Sequence, residues 1–88
     1  MTRIYVPADT AALAAGADET AAALLAAADA RGAGITLIRN GSRGMLWLEP
    51  LVEAGIGAER IAFGPVGPED AASVLDAILA GADHPLAL

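Results

Sequence analysis

The order of three short segments in the first half of the chain constrains the fold most. Arg3–Val6 has the alternating pattern of a strand and stops at Pro7, which has no backbone N–H to give to a sheet. A second run of β-branched and aliphatic residues occupies Ile35–Arg39. The segment between them, residues 18–31, has apolar residues at the helical spacing i, i+3, i+4, i+7, namely Ala21, Leu24, Leu25 and Ala28. This β-α-β order predicts two parallel strands joined by a crossover helix.

The second half of the chain predicts a hairpin followed by a helix. Leu51–Glu53 and Arg60–Phe63 are short apolar segments, and Gly55–Gly57 is the predicted turn between them. Pro68 begins a predicted helix that ends near Gly81. The whole chain is therefore α/β, and the order β-α-β-β-β-α predicts a thioredoxin-like fold, a four-stranded mixed sheet with its helices on one side. A ferredoxin-like split βαβ fold is the alternative, because it also has four strands and two helices.

Length and charge limit the classes of function. We interpret the 88 residues as one domain covering 1–88, either complete or the first part of a longer chain. Eleven acidic residues against five basic ones, all arginine, give a net charge of −6, which disfavours a nucleic-acid partner. The longest charge-free apolar run, Thr20–Ala28, is shorter than the roughly 20 residues that cross a bilayer, so we expect a cytoplasmic protein without a membrane partner.

The residue types needed for independent catalysis are scarce. The chain has no cysteine, which excludes disulfides, thiolate nucleophiles and thiolate metal sites. Ser42 would need a base within hydrogen-bond reach to act as a nucleophile. The single histidine, His84, lies beyond the last predicted helix. Acidic residues cluster at predicted helix starts, where they favour the helix dipole: Asp18, Glu19, Glu69 and Asp70. We therefore expect these 88 residues to have no enzymatic activity of their own and to hold no metal.

Two loops carry a resemblance to a known family. The segment Asn40–Glu53 resembles the second cluster loop of thioredoxin-like [2Fe-2S] ferredoxins, which reads Cys-x-Gly-x-Cys before a proline and an apolar strand. Gly44 matches the central glycine, and Gly16 matches a glycine that follows the family's first pair of cysteines. Four non-cysteine residues stand at the four ligand positions: Pro7, Ala12, Ser42 and Leu46. The resemblance implies a domain whose vestigial cluster positions converge but bind no cofactor.

Within this family the segments Ile38–Met45 and Trp47–Glu53 look most like the N-terminal region of the beta subunit of soluble NAD-dependent formate dehydrogenases. That resemblance implies a parent complex with FMN, NAD and iron–sulfur clusters, none of them held by this chain. It also implies that the partners are other subunits or domains of that oxidoreductase complex. The implied role is to dock those subunits around the electron-transfer chain.

The loop after the second predicted strand also contains the candidate interface. Trp47 is the only tryptophan, and it is either a core anchor or an exposed contact residue. As a contact residue it would act with three further candidates: Arg43, Met45 and Leu48. An alternative function uses the same region, since Arg39–Gly44 combines two arginines with a glycine-rich turn that is typical of an anion-binding loop. In that case the protein would be a freestanding module that binds a small anion or a nucleotide.

Overall fold

The computed structural model of the chain describes residues 2–8, 16–40, 50–56 and 59–88. In these ranges it contains four strands, β1 (Thr2–Pro7), β2 (Ile35–Asn40), β3 (Val52–Ile56) and β4 (Glu59–Phe63). Helix α1 covers Ala17–Ala30, and helix α2 covers Ala71–Ala80. A single 3-10 turn, Pro68–Asp70, precedes α2. No helix in these ranges is both long and apolar enough to span a bilayer.

The four strands form one mixed sheet in the order β2-β1-β3-β4. Strand β1 runs parallel to β2, with Ile4 opposite Leu37, and antiparallel to β3, with Ile4 opposite Ala54. Strands β3 and β4 form an antiparallel hairpin, and α2 follows that hairpin instead of separating two strands. The predicted thioredoxin-like arrangement is therefore confirmed. The split βαβ alternative is wrong, because it requires a helix between its last two strands.

The predicted turn of this hairpin is wrong in its position. Gly55 and Ile56 belong to β3, and β4 begins at Glu59. Gly55 pairs with Arg3 on one side and with Arg60 on the other. Sheet hydrogen bonds from both neighbouring strands thus keep the glycine extended, although its residue type is typical of turns.

Both helices cover the same face of the sheet. The side chains of Ile4 and Val6 from β1 are fully buried and belong to one core with residues of both helices. The core side chains that the helices contribute are Ala17, Ala21, Leu24, Ala27 and Ala28 from α1, and Ala71, Val74, Leu75 and Ile78 from α2. Because side chains alternate along a strand, Arg3 and Tyr5 lie on the opposite face.

Glycines with positive φ angles lie at both ends of α1, where Gly32 (φ 61°) follows the helix, and at the end of α2. Gly16 (φ 97°) precedes α1, and Gly81 (φ 65°) follows α2, as predicted for the end of that helix. Both φ values lie in the region that residues with a Cβ rarely adopt. At the start of the 3-10 turn, the Asp70 carboxylate accepts a hydrogen bond from the Gly67 N–H at 3.4 Å.

The last residues of the chain lie along β4. The Gly64 N–H donates to the Leu86 carbonyl at 3.0 Å, and the Leu88 N–H donates to the Ala62 carbonyl at 2.9 Å. His84 fixes this segment, because its Nδ1 accepts a hydrogen bond from the Leu86 N–H at 3.0 Å and its ring meets that of Phe63 edge-on. Its Nε2 lies 3.0 Å from the Ser73 hydroxyl of α2. Both ring nitrogens are used structurally.

Candidate functional site

The two loops of the vestigial site begin side by side. Pro7 at the end of β1 and Asn40 at the end of β2 are paired across the parallel strands. The Ala8 N–H donates to the Asn40 carbonyl at 2.7 Å, so the pairing continues one residue beyond β1. The first loop leaves from Ala8, and the second, which contains Ser42, leaves from Asn40. Parallel pairing therefore brings the starting points of both loops to one end of the sheet.

Of the four vestigial ligand positions, Pro7 lies in the described part of the chain, and it is buried at the end of β1. The other three positions, Ala12, Ser42 and Leu46, lie outside the described residues. The four interface candidates lie outside them as well: Arg43, Met45, Trp47 and Leu48. Convergence of the four ligand positions, and exposure of Trp47, remain predictions.

Arg39 connects the two parallel strands at this end of the sheet. Its Nε donates to the Val6 carbonyl at 3.1 Å, and one terminal nitrogen donates to the Pro7 carbonyl at 3.0 Å. The other terminal nitrogen lies 2.8 Å from a carboxylate oxygen of Asp18, in the first turn of α1. The guanidinium of Arg39 is therefore bound to three internal acceptors. The alternative anion-binding loop covers Arg39–Gly44, and residues 41–44 of it lie outside the described ranges.

The sequence patterns did not predict that Arg39 connects the two parallel strands to α1. The pattern that could have indicated it is strand alternation, since Arg39 has the same parity in β2 as Ile35 and Leu37, which are packed against the core. A charged residue on the helix-covered face needs a partner at the edge of that face. Asp18 provides the partner, although the sequence alone explained it by the helix dipole.

Gly16 has a structural reason to be glycine. Its φ of 97° places it in the left-handed region directly before α1, and its carbonyl accepts the first hydrogen bond of the helix, from the Thr20 N–H at 3.1 Å. The first loop must therefore turn sharply into α1 at this position. The match of Gly16 to the family glycine thus has a backbone explanation.

The far end of the second loop is fixed by the segment after β4. The Val66 N–H donates to the carbonyl of Pro50 at 2.9 Å, and the buried Thr20 hydroxyl donates to the Val66 carbonyl at 2.7 Å. The neighbouring Gly64–Pro65 peptide bond is cis. The two hydrogen bonds of Val66 connect the end of the second loop to the first turns of α1.

The donor atoms at the vestigial positions do not match an iron–sulfur cluster. A [2Fe-2S] cluster is held by thiolates. Pro7, Ala12 and Leu46 have no side-chain ligand atom, Ser42 has one hydroxyl, and the chain has no cysteine. In the ranges that the structure describes, no three His, Asp or Glu side chains are grouped closely enough to hold a metal ion. The described residues of this site contribute carbonyl hydrogen bonds and one ion pair, which are structural contacts.

Comparison with known proteins gives a structural match and no sequence match. No protein-family model matches the chain, and no curated protein matches it. The thioredoxin-like [2Fe-2S] ferredoxin of Aquifex aeolicus superposes with a TM-score of 0.79 at 14% sequence identity, covering 100% of this chain and 96% of the ferredoxin. Two variants of it, each with one cysteine replaced by serine, give TM-scores of 0.79 and 0.80 at 16% and 15% identity, each covering 100% of this chain and 98% of theirs. Over its whole length, this chain has the fold of the thioredoxin-like ferredoxins.

Proposed function

We propose that this chain is a cluster-free, thioredoxin-like interaction domain in the NADH-oxidising module of a NAD-dependent formate dehydrogenase. Its role there is to dock neighbouring subunits around the electron-transfer chain. We assign no catalytic step and no bound cofactor to these 88 residues.

One observation carries the proposal: a chain with the fold of a thioredoxin-like [2Fe-2S] ferredoxin has no cysteine, and therefore no thiolate at the four positions that its sequence resemblance matches to the cluster ligands. The adjacent starting points of the two loops, at Pro7 and Asn40, support the alignment. The resemblance of Ile38–Met45 and Trp47–Glu53 to the formate dehydrogenase beta subunit supports the placement in that complex. A domain that keeps the ferredoxin fold without the cluster still has a four-stranded sheet, which can carry a docking surface.

Anaerobic reconstitution with ferrous iron and sulfide tests the cluster-free state. We expect the natural chain to show no sulfide-to-iron absorption bands in the visible range and to retain no iron after desalting. The matched control carries Pro7→Cys, Ala12→Cys, Ser42→Cys and Leu46→Cys, and should bind iron if the positions converge. A visible spectrum of a bound cluster in the natural chain would contradict the proposal.

The docking role is tested at Trp47, measured as association of the chain with the other subunits of the same complex. Trp47→Ala should weaken association by about thirtyfold, the effect of removing an interface aromatic worth about 2 kcal/mol. Leu79→Ala is the control, because Leu79 is an exposed apolar residue on α2, outside the segment that contains Trp47. Unchanged association of Trp47→Ala would remove the loop from the interface. Loss of folding would assign Trp47 to the core.

The placement in a formate dehydrogenase is tested by the reading frame downstream of Leu88. Continuation into a glycine-rich, flavin-binding segment is the expected result. A neighbouring gene set without a flavin-binding NADH-oxidising subunit would contradict that placement.

A further inference from the structure

The sheet face opposite the two helices carries a row of residues that lies outside the candidate interface around Trp47. Arg3 in β1 pairs with Gly55 in β3, and Gly55 pairs with Arg60 in β4. The three residues therefore lie side by side across three strands, on the same face as Tyr5. We call Arg3, Tyr5, Gly55 and Arg60 the basic row. Both arginines are exposed to solvent.

Gly55 leaves a gap between the two arginines. A Cβ atom placed on Gly55 would have its nearest neighbours, the Arg3 carbonyl oxygen and Tyr5 Cε1, at 4.0 Å, so it would meet no obstruction. Because neighbouring strands are about 4.8 Å apart, the Cα atoms of Arg3 and Arg60 are separated by about 10 Å. Two guanidinium groups at that spacing can close on one carboxylate above the glycine.

The basic row carries positive charge that the rest of the described chain does not neutralise. Arg31 forms an ion pair with Asp76, and Arg39 forms one with Asp18. By contrast, the Nη1 atom of Arg60 lies 4.0 Å from the Oε2 atom of Glu53, which is the limit of an ion pair. Among the side chains that the structure describes, two arginines thus lie beside one carboxylate, that of Glu53, which leaves a local excess of positive charge. This local excess occurs in a chain whose net charge is −6.

Tyr5 holds one of these cations in place. The Arg60 guanidinium carbon lies 3.7 Å from the centre of the Tyr5 ring, which is the geometry of a cation–π contact. Hydrogen bonding and charge from Arg60, together with the more modest influence of Arg3, hold the pKa of the Tyr5 phenol below its ordinary value, although burial acts in the opposite direction. A guanidinium stacked on a ring keeps its in-plane N–H groups available for a carboxylate.

We propose that the basic row binds a carboxylate of an acidic, partly apolar segment in a partner protein, an inference that rests on the docking function proposed above. The apolar part of the ligand follows from the neighbours, since Ile38 and Ala62 are partly exposed on the same face, beside Tyr5 and Glu53 in the next row. Tyrosine and arginine next to apolar surface are typical of protein interfaces. A free small anion would lack the apolar contact with Ile38 and Ala62.

The test is a titration of the isotope-labelled full chain, followed by NMR at low ionic strength. The probe is a Glu-Leu-Glu-Leu-Glu peptide blocked at both ends, and the matched probe has glutamine in place of glutamate. We expect the glutamate peptide to shift the amide signals of Arg3, Tyr5, Gly55 and Arg60. Arg3→Gln and Arg60→Gln should each weaken binding by about fivefold, as expected for a partly exposed charge pair. Arg31→Gln, which removes an arginine far from this face, should leave it unchanged.

Three results would overturn the proposal. One is equal binding of the glutamine peptide, which would show that charge is not recognised. Another is a loss of affinity in Arg31→Gln as large as that in Arg60→Gln. The third is saturation of the same amides by inorganic phosphate at equal or lower concentration than the peptide, which would make the row a small-anion site. Because the titration uses the chain alone, its failure is separate from a failure of the iron reconstitution that tests the cluster-free state.

Discussion

The two faces of the sheet are made by the same strands and differ completely in chemistry. In β1, Ile4 and Val6 are fully buried beneath both helices, whereas Arg3 and Tyr5, one residue away, contribute to the basic row on the other face. In β3, Val52 and Ala54 are buried in the core, while Gly55 forms the floor between two arginines. A two-residue alternation therefore separates the residues that hold the domain together from those that are free to recognise a partner. Substitutions at buried and at exposed positions measure how complete that separation is.

The largest expected effect is in the core of the covered face. Leu24→Ala should lower the free energy of unfolding by about 2–5 kcal/mol, because Leu24 is fully buried and its truncation leaves a cavity. The adjacent Leu25 has 48% of its surface exposed, so Leu25→Ala should change stability by about 0.5 kcal/mol or less. Urea unfolding of both variants measures the difference. Similar losses would mean that α1 is rotated relative to the sheet.

A buried hydroxyl should matter more than an exposed one. The Thr20 hydroxyl is buried and donates to the Val66 carbonyl at 2.7 Å, so Thr20→Val should cost about 1–3 kcal/mol by leaving that carbonyl without its partner. The matched change, Ser73→Ala, removes an exposed hydroxyl of α2 that donates to the Asp70 carbonyl at 3.1 Å and lies 3.0 Å from His84 Nε2. We expect it to cost clearly less by the same unfolding measurement. An unchanged free energy of unfolding in Thr20→Val would show that this hydrogen bond does not hold residues 64–66 in place.

A smaller effect is expected from the ion pair between the outer surfaces of the two helices. Arg31 Nε lies 2.5 Å from Asp76, and a second nitrogen lies 3.1 Å from its other carboxylate oxygen. Hydrogen bonding from Arg31 holds the pKa of Asp76 below its ordinary value of 3.8. Because the folded-state pKa is lowered, the stabilisation is present above pH 3.8 and is lost as the pH falls through the folded-state pKa.

Stability measured as a function of pH for the natural chain and for Asp76→Asn checks this sign. The natural chain should be the more stable of the two near neutral pH, and the difference should shrink in acid. A difference that grows in acid would contradict the proposed direction of the pKa shift.

The smallest effect concerns the open face and is spectroscopic. Tyr5 is the only tyrosine in the chain, so its ionisation can be followed by ultraviolet absorbance without ambiguity. Its pKa should lie below 10.0, and Arg60→Gln should raise it toward that value because Arg60 is the main cause of the shift. Arg3→Gln should raise the pKa less, and Arg31→Gln should leave it unchanged. An unshifted natural Tyr5 would argue against the stacked geometry of the basic row.

The sequence patterns predicted most of the fold because those patterns are local. The helix over residues 18–31 agrees with Ala17–Ala30, and the alternation in Arg3–Val6 indicated the first strand. The turn at Gly55–Gly57 was wrong, because glycine favours a turn locally while pairing with Arg3 and Arg60 keeps it in the sheet. Arg3 is far from Gly55 in sequence, so no local pattern contains that pairing.

The candidate site was predicted less completely. The alignment of the two loops indicated that Pro7 and the start of the second loop lie together, and the pairing of Pro7 with Asn40 agrees with this. The structural role of Arg39 was missed, because its three acceptors come from β1 and from the start of α1. The basic row was missed for the same reason, since its members come from three strands.

The types and order of the helices and strands could be predicted from the amino-acid sequence, and so could the lack of any thiolate to hold a cluster. These properties are set by residue identity and by the helix and strand periodicities of neighbouring residues. The neighbours across the sheet, including Arg3, Gly55 and Arg60, became known only from the folded structure. Strand register is fixed by backbone hydrogen bonds and core packing between distant segments, and a shift of one residue would exchange the two faces of the sheet.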